Sequence, residues 1–190
     1  KSCLGFFIRT TEEHRNPFTI DKISQIAVSI PHDDTESIIS FSELCYNLQV
    51  NLNFDLSPII PTLVQFCTFD LMTTIDLHKI LLVFIHTEQA FSPFIASFFI
   101  PLFKGLDSEK VVKLFNQYNE LYILFTHFVG GHLSEDEMVP LLRQFLSSLP
   151  LFEDQQKANA VFWDSLLAKK GYMFINVYLY TFTCIFPVLI

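Results

Sequence analysis

The stretch from His32 to Glu43 is the part of this sequence whose spacing comes nearest to a metal site. It follows the pattern of an EF-hand calcium loop, with Ile39 at position eight and Glu43 at the bidentate last position. However, His32 stands at position one, where a carboxylate should bind, and Ser37 replaces the glycine that allows the sharp turn. We therefore expect no calcium site here, and predict instead an acidic turn that caps a helix starting near Ile39.

Histidines and cysteines show no other spacing that is typical of catalysis or metal binding. None of the six histidines forms an HExxH or HxH motif, and none pairs with a cysteine at ligand spacing. The sequence also lacks a glycine-rich phosphate loop and a GxSxG nucleophile motif. We therefore predict no metal, no cofactor and no enzymatic activity. The four widely spaced cysteines are typical of buried thiols in a reducing compartment, which favours the cytoplasm, including the periphery of membranes or the cytoskeleton.

The composition of the chain limits its possible partners. Lys and Arg number 12 against 20 Asp and Glu, so the formal net charge is −8 and no basic face for nucleic acid is predicted. An apolar share of 51% with 17% charged residues excludes intrinsic disorder. The 22 phenylalanines predict an aromatic core. We expect residues 1–25 to be a lead-in or first helix and residues 26–190 to be one helical domain, within a longer chain or a complex.

Apolar residues recur at three- and four-residue spacing along most of the chain, which predicts an all-α, single compact multi-helix domain. We find no stretch that alternates like a strand, and no internal repeat. Capping signals mark two helix starts, with Pro58 after Ser57 and with Ser134 three positions before Glu137. The predicted helical segments are 18–30, 39–48, 56–64, 77–84, 90–103, 107–130, 138–146 and 158–168.

The segment Gly171–Ile190 allows two interpretations. It carries no charge over twenty residues and follows two lysines, as a membrane-spanning helix would. Polar residues within the run, such as Asn176 and Thr181, and the late Pro187 weaken that interpretation. A buried, aromatic-rich helix explains the segment as well, so we expect no integral membrane span and leave the membrane alternative open.

The C-terminal third of the chain resembles a known family. The segment 145–152 ends in Leu149-Pro150-Leu151-Phe152, and a short gap leads to Trp163-Asp164, two leucines and Gly171. This order resembles the closing block of TBC domains, the all-helical domains that activate Rab-type GTPases. Upstream, the segment 81–91 resembles a helix pair of the same family. The resemblance implies a TBC-like helical domain over residues 26–190.

Three residues of this block are expected to be structural. Trp163 is the single tryptophan and lies on an apolar helical face, so we expect it to anchor core packing. Asp164 beside it is expected to bond a neighbouring polar group. Gly171 follows two lysines, in the order expected at the end of a helix.

Two positions set this sequence apart from active TBC domains. The family resemblance implies that an arginine in Ile-x-x-Asp-x-x-Arg and a glutamine in Tyr-x-Gln enter the nucleotide pocket of the GTPase, where they stabilise charge and orient water. The matching positions hold Glu36, after Ile30 and Asp33, and Leu71, after Phe69. An arginine finger contributes about 10³- to 10⁵-fold in rate, and a carboxylate or an aliphatic side chain does not replace it. We therefore expect no catalysis from Glu36 and Leu71.

These observations predict a non-catalytic TBC-like domain that binds a protein, either a Rab-type small GTPase or a scaffold partner, in membrane trafficking or a larger assembly. Two alternatives stay open. One is an active Rab GTPase-activating domain, and the other is an unrelated all-α scaffold or structural domain with a degenerate EF-hand-like loop. The expected partner-binding groove comprises Asp33, Asp34, Glu36, Phe69 and Asp70.

Overall fold

Every regular element in the described part of the chain is a helix, so the predicted all-α class is confirmed. The computed structural model describes residues 19–87, 93–105 and 108–168. Two 3₁₀ turns in this part lie at Ser57–Ile59 and Leu149–Leu151. Its α-helices are α1 (Ile20–Ser29), α2 (Thr35–Leu52), α3 (Ile60–Gln65), α4 (Phe69–Thr74), α5 (His78–His86), α6 (Pro93–Gly105), α7 (Ser108–Gln117), α8 (Glu120–His132), α9 (Glu135–Ser148) and α10 (Gln155–Ala168).

The prediction of a single helix over residues 107–130 is wrong, because the structure has two helices there, α7 and α8, which are separated at Tyr118. The buried Tyr118 hydroxyl reaches the turn between α4 and α5, where the carbonyl oxygens of Met72 and Ile75 lie 2.7 and 2.9 Å away as acceptors. The same hydroxyl accepts the backbone N–H of Leu77 at 3.3 Å. Two carbonyl oxygens and one N–H of this turn thus lie within hydrogen-bond distance of the Tyr118 hydroxyl. This tertiary contact bends the chain where no glycine or proline marks a bend.

Helix α2 begins at Thr35, earlier than the predicted start near Ile39. Asp34 is its N-cap, and its carboxylate accepts the backbone N–H of Ser37 at 3.1 Å. Hydrogen bonding from Ser37, through its side chain and its N–H, lowers the pKa of Asp34. Most of the EF-hand-like stretch is therefore helical, and a continuous helix cannot wrap around a calcium ion as an EF-hand loop does.

The two predicted capping signals have different outcomes. At Ser134 the capping box forms, because the Glu137 carboxylate accepts the N–H of Ser134 at 3.1 Å and its hydroxyl at 2.7 Å. At Ser57 the capping side chain is instead Asp55, whose carboxylate accepts the N–H of Ser57 at 3.0 Å. Pro58 consequently lies in a 3₁₀ turn before α3, and not in the first turn of an α-helix.

The helices form three-helix units that stack along the chain. The third helices of successive units, α5, α8 and α10, pack on one another, and α2 packs on the other side of α5. These helices run parallel, because Gln49 near the end of α2 bonds Thr87 at the end of α5, and Lys157 in α10 bonds Asn119 at the start of α8. Each of these bonds joins residues 38 positions apart. Stacked two- or three-helix units of roughly 40 residues are the construction of α-solenoids.

The first and second helices form the remaining layers. First helices α1, α3 and α6 pack in that order, and second helices α4 and α7 pack on each other. In the last unit α9 is the first helix, the turn Leu149–Leu151 stands in place of the second, and α10 is the third. Helix α9 packs closely on α7 and α10, and a groove lies between α9 and α6.

A short motif marks the first helix of these units. It is Ile60-Pro61-Thr62-Leu63 in α3, Ile100-Pro101-Leu102-Phe103 in α6 and Val139-Pro140-Leu141-Leu142 in α9. Each copy has a β-branched residue, a proline and a large apolar residue two positions after the proline. The copies recur at the spacing of the units, so the expectation of no internal repeat is wrong.

Phenylalanine rings fill the core, as the composition predicted. The nine largest fully buried side chains in the described part of the chain are phenylalanines. Phe125 of α8 stacks on Phe145 of α9, with 4.8 Å between ring centres. It also meets Phe115 of α7 and Phe99 of α6 at 5.8 and 5.9 Å, both in edge-on geometry. This cluster joins the unit of α6, α7 and α8 to helix α9 of the next unit.

Candidate protein-binding surface

The solvent side of the parallel layer is a surface to which each unit contributes one helix. Packed helices lie about 8–10 Å apart, so four of them span roughly 30 Å. We call this surface the third-helix face and define it by exposed or half-buried residues of α2, α5, α8 and α10: Tyr46, Val50, Lys79, Ile123, Trp163 and Leu167.

Lysine–tyrosine contacts join neighbouring helices of this layer. Lys79 Nζ of α5 lies 4.2 Å from the ring centre of Tyr46 on α2. Lys157 Nζ of α10 lies 4.8 Å from the ring centre of Tyr122 on α8. In both places a lysine of one unit covers a tyrosine of the unit before it. Cation–π attraction of this kind contributes about 0.5–1 kcal/mol at exposed sites, so these pairs help to fix the helices side by side.

Polar pairs join the same helices. His78 Nδ1 of α5 lies 3.1 Å from Glu120 Oε2 of α8, and the Glu120 side chain is only 9% exposed. In the described part of the chain that oxygen has no hydrogen-bond partner besides this contact, so the imidazole offsets the cost of burying it. Between α2 and α5, Thr87 accepts from Gln49 at 2.6 Å and donates to the carbonyl of Val83 at 2.7 Å.

Large apolar side chains are exposed on the third helices. Six large aliphatic side chains are exposed among the described residues, and four of them belong to helices of the parallel layer: Val50 and Leu52 on α2, Ile123 on α8 and Leu167 on α10. Between 46 and 53% of each of these four is exposed. Trp163, one turn before Leu167, packs partly against the core. Exposed aliphatic groups beside an aromatic side chain are typical of the centre of a protein–protein interface.

The predicted acidic turn lies at the start of α2. Asp33 and Asp34 are exposed, and Glu36 is exposed in the first turn of the helix. The turn is joined to the end of α3, because the ring centre of His32 lies 5.6 Å from that of Phe66. The carboxylates therefore stand in solvent beside this contact.

The other predicted groove residues lie on α4, which begins three residues after Phe66. Asp70 is exposed, and Phe69 is half-buried, with Lys110 Nζ 5.8 Å from its ring centre. Leu71, the second finger-equivalent position, packs against the hydrophobic core. The contact of His32 with Phe66 brings the acidic turn close to the loop that precedes α4. A shared groove stays a prediction.

The expected structural residues lie at the end of the described chain. Trp163 packs partly against the core and stands edge-on to Phe162, with 5.2 Å between ring centres. Asp164 is exposed. Gly171 and the whole segment Gly171–Ile190 lie outside the described residues. Within the described ranges, no helix has both the length and the apolar character needed to cross a membrane.

The described cysteines are poor nucleophiles at neutral pH. Cys45 and Cys67 are both buried, and burial raises the pKa of Cys67 to about 12 and raises the pKa of Cys45 as well. The thiolate is the reactive form of cysteine. Among the described residues, no group of three or more His, Cys, Asp or Glu side chains could hold a metal ion. The third-helix face exposes apolar side chains, such as Ile123 and Leu167, together with the hydrogen-bonding groups of Tyr46, Lys79 and Trp163.

Comparisons with protein-family models, with curated proteins and with solved structures found no match for this chain. The TBC resemblance therefore stays a prediction, carried by the residues quoted for it.

Of the residues that define the third-helix face, sequence reasoning singled out Trp163 alone, and as a core residue. The signal that could have found them is the proline motif, because the third helix of each unit starts some 15–20 positions after Pro61, Pro101 and Pro140. Lys79 and Lys157, which lie 18 and 17 positions after Pro61 and Pro140, would then have been placed near the start of equivalent helices.

Proposed function

We propose that this chain is a non-catalytic helical scaffold that binds another protein through the third-helix face. The observation that carries the proposal is the parallel layer of α2, α5, α8 and α10, to which each unit adds one helix. Stacked repeats create extended surfaces of this kind, and binding is what α-solenoids use them for.

The side chains of this face support the proposal. Val50, Ile123 and Leu167 each keep about half of their surface in water. Burying the rest of such a side chain contributes about 1 kcal/mol, half of what full burial of an aliphatic side chain gives. The Lys79–Tyr46 and Lys157–Tyr122 contacts hold the helices in register, which lowers the entropy lost on binding.

The test compares two pairs of charge substitutions. Ile123→Glu and Leu167→Glu place carboxylates on the third-helix face, whereas Val28→Glu and Leu151→Glu place them at exposed apolar positions elsewhere, on α1 and in the turn Leu149–Leu151. Partners captured by the wild-type chain are identified by quantitative mass spectrometry, purified and titrated by calorimetry. We expect the first pair to weaken binding of a purified partner at least tenfold and the second pair to leave it unchanged, with equal melting temperatures. Equal effects of the two pairs would contradict the proposal.

A Rab-type GTPase is a second candidate partner, and one contact favours it. His32 packs against Phe66, which brings the acidic turn close to the loop before α4, as a shared groove requires. In this groove Glu36 and Leu71 would stand where active TBC domains supply an arginine and a glutamine. Such a surface binds the GTPase without accelerating GTP hydrolysis.

Purified Rab-type GTPases loaded with a GTP analogue test the second candidate. We expect at least one of them to bind the chain, and expect Asp33→Lys to weaken this binding while Asp164→Lys on α10 leaves it unchanged. GTP hydrolysis should stay at its intrinsic rate for every GTPase in the panel. Acceleration of hydrolysis would instead support the active TBC alternative.

A further inference from the structure

The layer of first helices carries two grooves that are equivalent by the repeat. We call them groove I, between the α3–α4 corner and α6, and groove II, between α6 and α9. Groove I is lined by Val64, Gln65, Phe98, Pro101 and Leu102, among others. Groove II is lined by Phe103, Lys104, Glu137, Pro140 and Leu141, among others. Each of these five residues of groove II follows its counterpart in groove I by 39 positions.

The size and lining of the grooves indicate side-chain binding. Their volumes are about 340 Å³ for groove I and 240 Å³ for groove II. These lie at or below the lower end of the roughly 300–1,000 Å³ of sites for small molecules. Both grooves have apolar linings, with Phe98 and Leu102 in groove I and Phe103 and Leu141 in groove II. Each groove therefore suits one or two apolar side chains of a protein partner.

The spacing of the grooves selects the conformation of that partner. Grooves I and II lie on the two sides of α6, and a helix with its side chains is about 10–12 Å across, so two apolar anchors must be about 10 Å apart. Residues i and i+7 of an α-helix share a face and are about 10.5 Å apart along the axis. Side chains on one face of a β-strand are instead about 6.6 or 13 Å apart, which does not match.

The two grooves differ in the charge of their rims, which determines the orientation in which a charged partner helix binds. Groove II carries Lys104 on the α6 side and the exposed Asp136 on the α9 side, next to Glu137. Groove I has uncharged polar groups at its rim, among them Gln65 and Ser97. The whole chain carries a net charge of −8, which favours basic partners at long range. A cation beside the anchor in groove II would face Asp136.

We infer that grooves I and II bind one amphipathic helix of a partner protein, which inserts apolar side chains i and i+7 and places a basic residue against Asp136. This surface is separate from the third-helix face, so the two proposals can fail independently. Charged groups at the rim of groove II suit a charged amphipathic helix better than an uncharged proline-rich segment.

The probe is a fluorescent designed helical peptide with leucines at i and i+7 and a lysine beside the second leucine, titrated by fluorescence anisotropy against the 190-residue chain. Control peptides carry one leucine, leucines at i and i+5, or leucines at every third position of a polyproline segment. Because linked anchors act intramolecularly, we expect the probe to bind at least tenfold more tightly than any control. Equal binding of the one-leucine peptide, or tighter binding of the polyproline peptide, would overturn the inference.

Substitutions in the chain assign the binding to the grooves. Asp136→Lys is expected to weaken the lysine probe at least fivefold and to restore binding of a probe with glutamate in place of the lysine. Asp164→Lys, which changes the same charge on α10, should change neither. Ser97→Trp fills groove I and Gln144→Trp fills groove II. Each substitution should lower the affinity of the probe to that of the one-leucine peptide. If Asp136→Lys changes the affinity of neither the lysine probe nor the glutamate probe, the assignment is wrong. This test of the charge is independent of the tryptophan substitutions.

Discussion

The hydroxyl of Tyr118 lies 2.7 Å from the carbonyl oxygen of Met72, 46 positions earlier in the chain. It also accepts the N–H of Leu77, so Tyr118→Phe removes the partner of that backbone N–H, whereas the Met72 carbonyl keeps the side-chain amide of Gln117 as a donor at 2.9 Å. We expect a loss of about 1–3 kcal/mol in the free energy of unfolding, measured by urea denaturation followed by circular dichroism.

Tyr122→Phe is the matched control for this substitution. Tyr122 is buried to the same extent, but no hydrogen bond of its hydroxyl occurs in the described part of the chain. Its loss should therefore change stability by about 0.5 kcal/mol or less. If both variants lose the same free energy, the Tyr118 hydroxyl does not hold the bend between α7 and α8.

The same bend shows why part of the fold could not be predicted from the sequence. Local signals fix the all-α class and the Ser134 capping box, since both depend on residues a few positions apart. The break at Tyr118 depends on a turn more than 40 positions earlier. The break separates α7 from α8, the second and third helices of one unit. A prediction of one continuous helix over residues 107–130 therefore could not show the three-helix repeat.

Phe125 at the centre of the aromatic cluster provides a second prediction. It is fully buried and stacks on Phe145 at 4.8 Å. Phe125→Ala removes a ring that several neighbours contact, and we expect it to cost about 3–5 kcal/mol in the free energy of unfolding. Ile123→Ala, two positions away and 48% exposed, should cost about 0.5 kcal/mol or less. Equal shifts of the urea midpoint for the two variants would show that the aromatic cluster does not contribute more to stability than an exposed side chain does.

Acid should destabilise the chain through its capping carboxylates. Hydrogen bonds from Ser37 lower the pKa of Asp34, hydrogen bonds from Ser57 lower that of Asp55, and hydrogen bonds from Ser134 lower that of Glu137. Each group binds its proton more weakly in the folded state, so its stabilisation is complete above the ordinary carboxyl pKa of about 4 and is lost as pH falls below it.

Amide variants of these carboxylates isolate the charge. Asp34→Asn and Glu137→Gln retain residue types that cap helices, and we expect them to flatten the fall of the urea midpoint between pH 5 and 3. The control is Asp164→Asn, at an exposed position in α10. A pH dependence that is unchanged in the two capping variants would contradict this assignment.

The candidate surface was less predictable than the fold, for a related reason. Glu36 and Leu71 were singled out by resemblance, whereas Lys79 and Tyr46 acquire their relation only when α5 packs on α2. A lysine or tyrosine on a helix has no local signature that distinguishes a contact between units from an ordinary solvated side chain. The proline motif indicates only which helices are equivalent, once its three copies are aligned, and not which of their side chains meet.

Alkali should destabilise the chain through its buried acids. Burial raises the pKa of Cys67 to about 12, and burial, with the nearby Asp154 and Glu153 carboxylates, raises that of Tyr122 to about 12. The folded state therefore keeps protons that the unfolded state releases, from about pH 8.5 for the thiol and about pH 10 for the phenol. Stability should fall above pH 8.5 and keep falling towards pH 12.

Two variants separate these contributions to alkaline unfolding. Cys67→Ala should flatten the fall of the melting temperature between pH 8.5 and 10, and Tyr122→Phe should flatten it only above pH 10, because each removes one group whose proton the folded state retains. Peptide-resolved alkylation with iodoacetamide gives an independent measurement, since only a thiolate reacts. At pH 8 we expect Cys45 and Cys67 to react at least 100-fold more slowly in the native chain than in urea. Rapid alkylation of both thiols in the native chain would mean that helix α2 and the loop between α3 and α4 open readily to solvent.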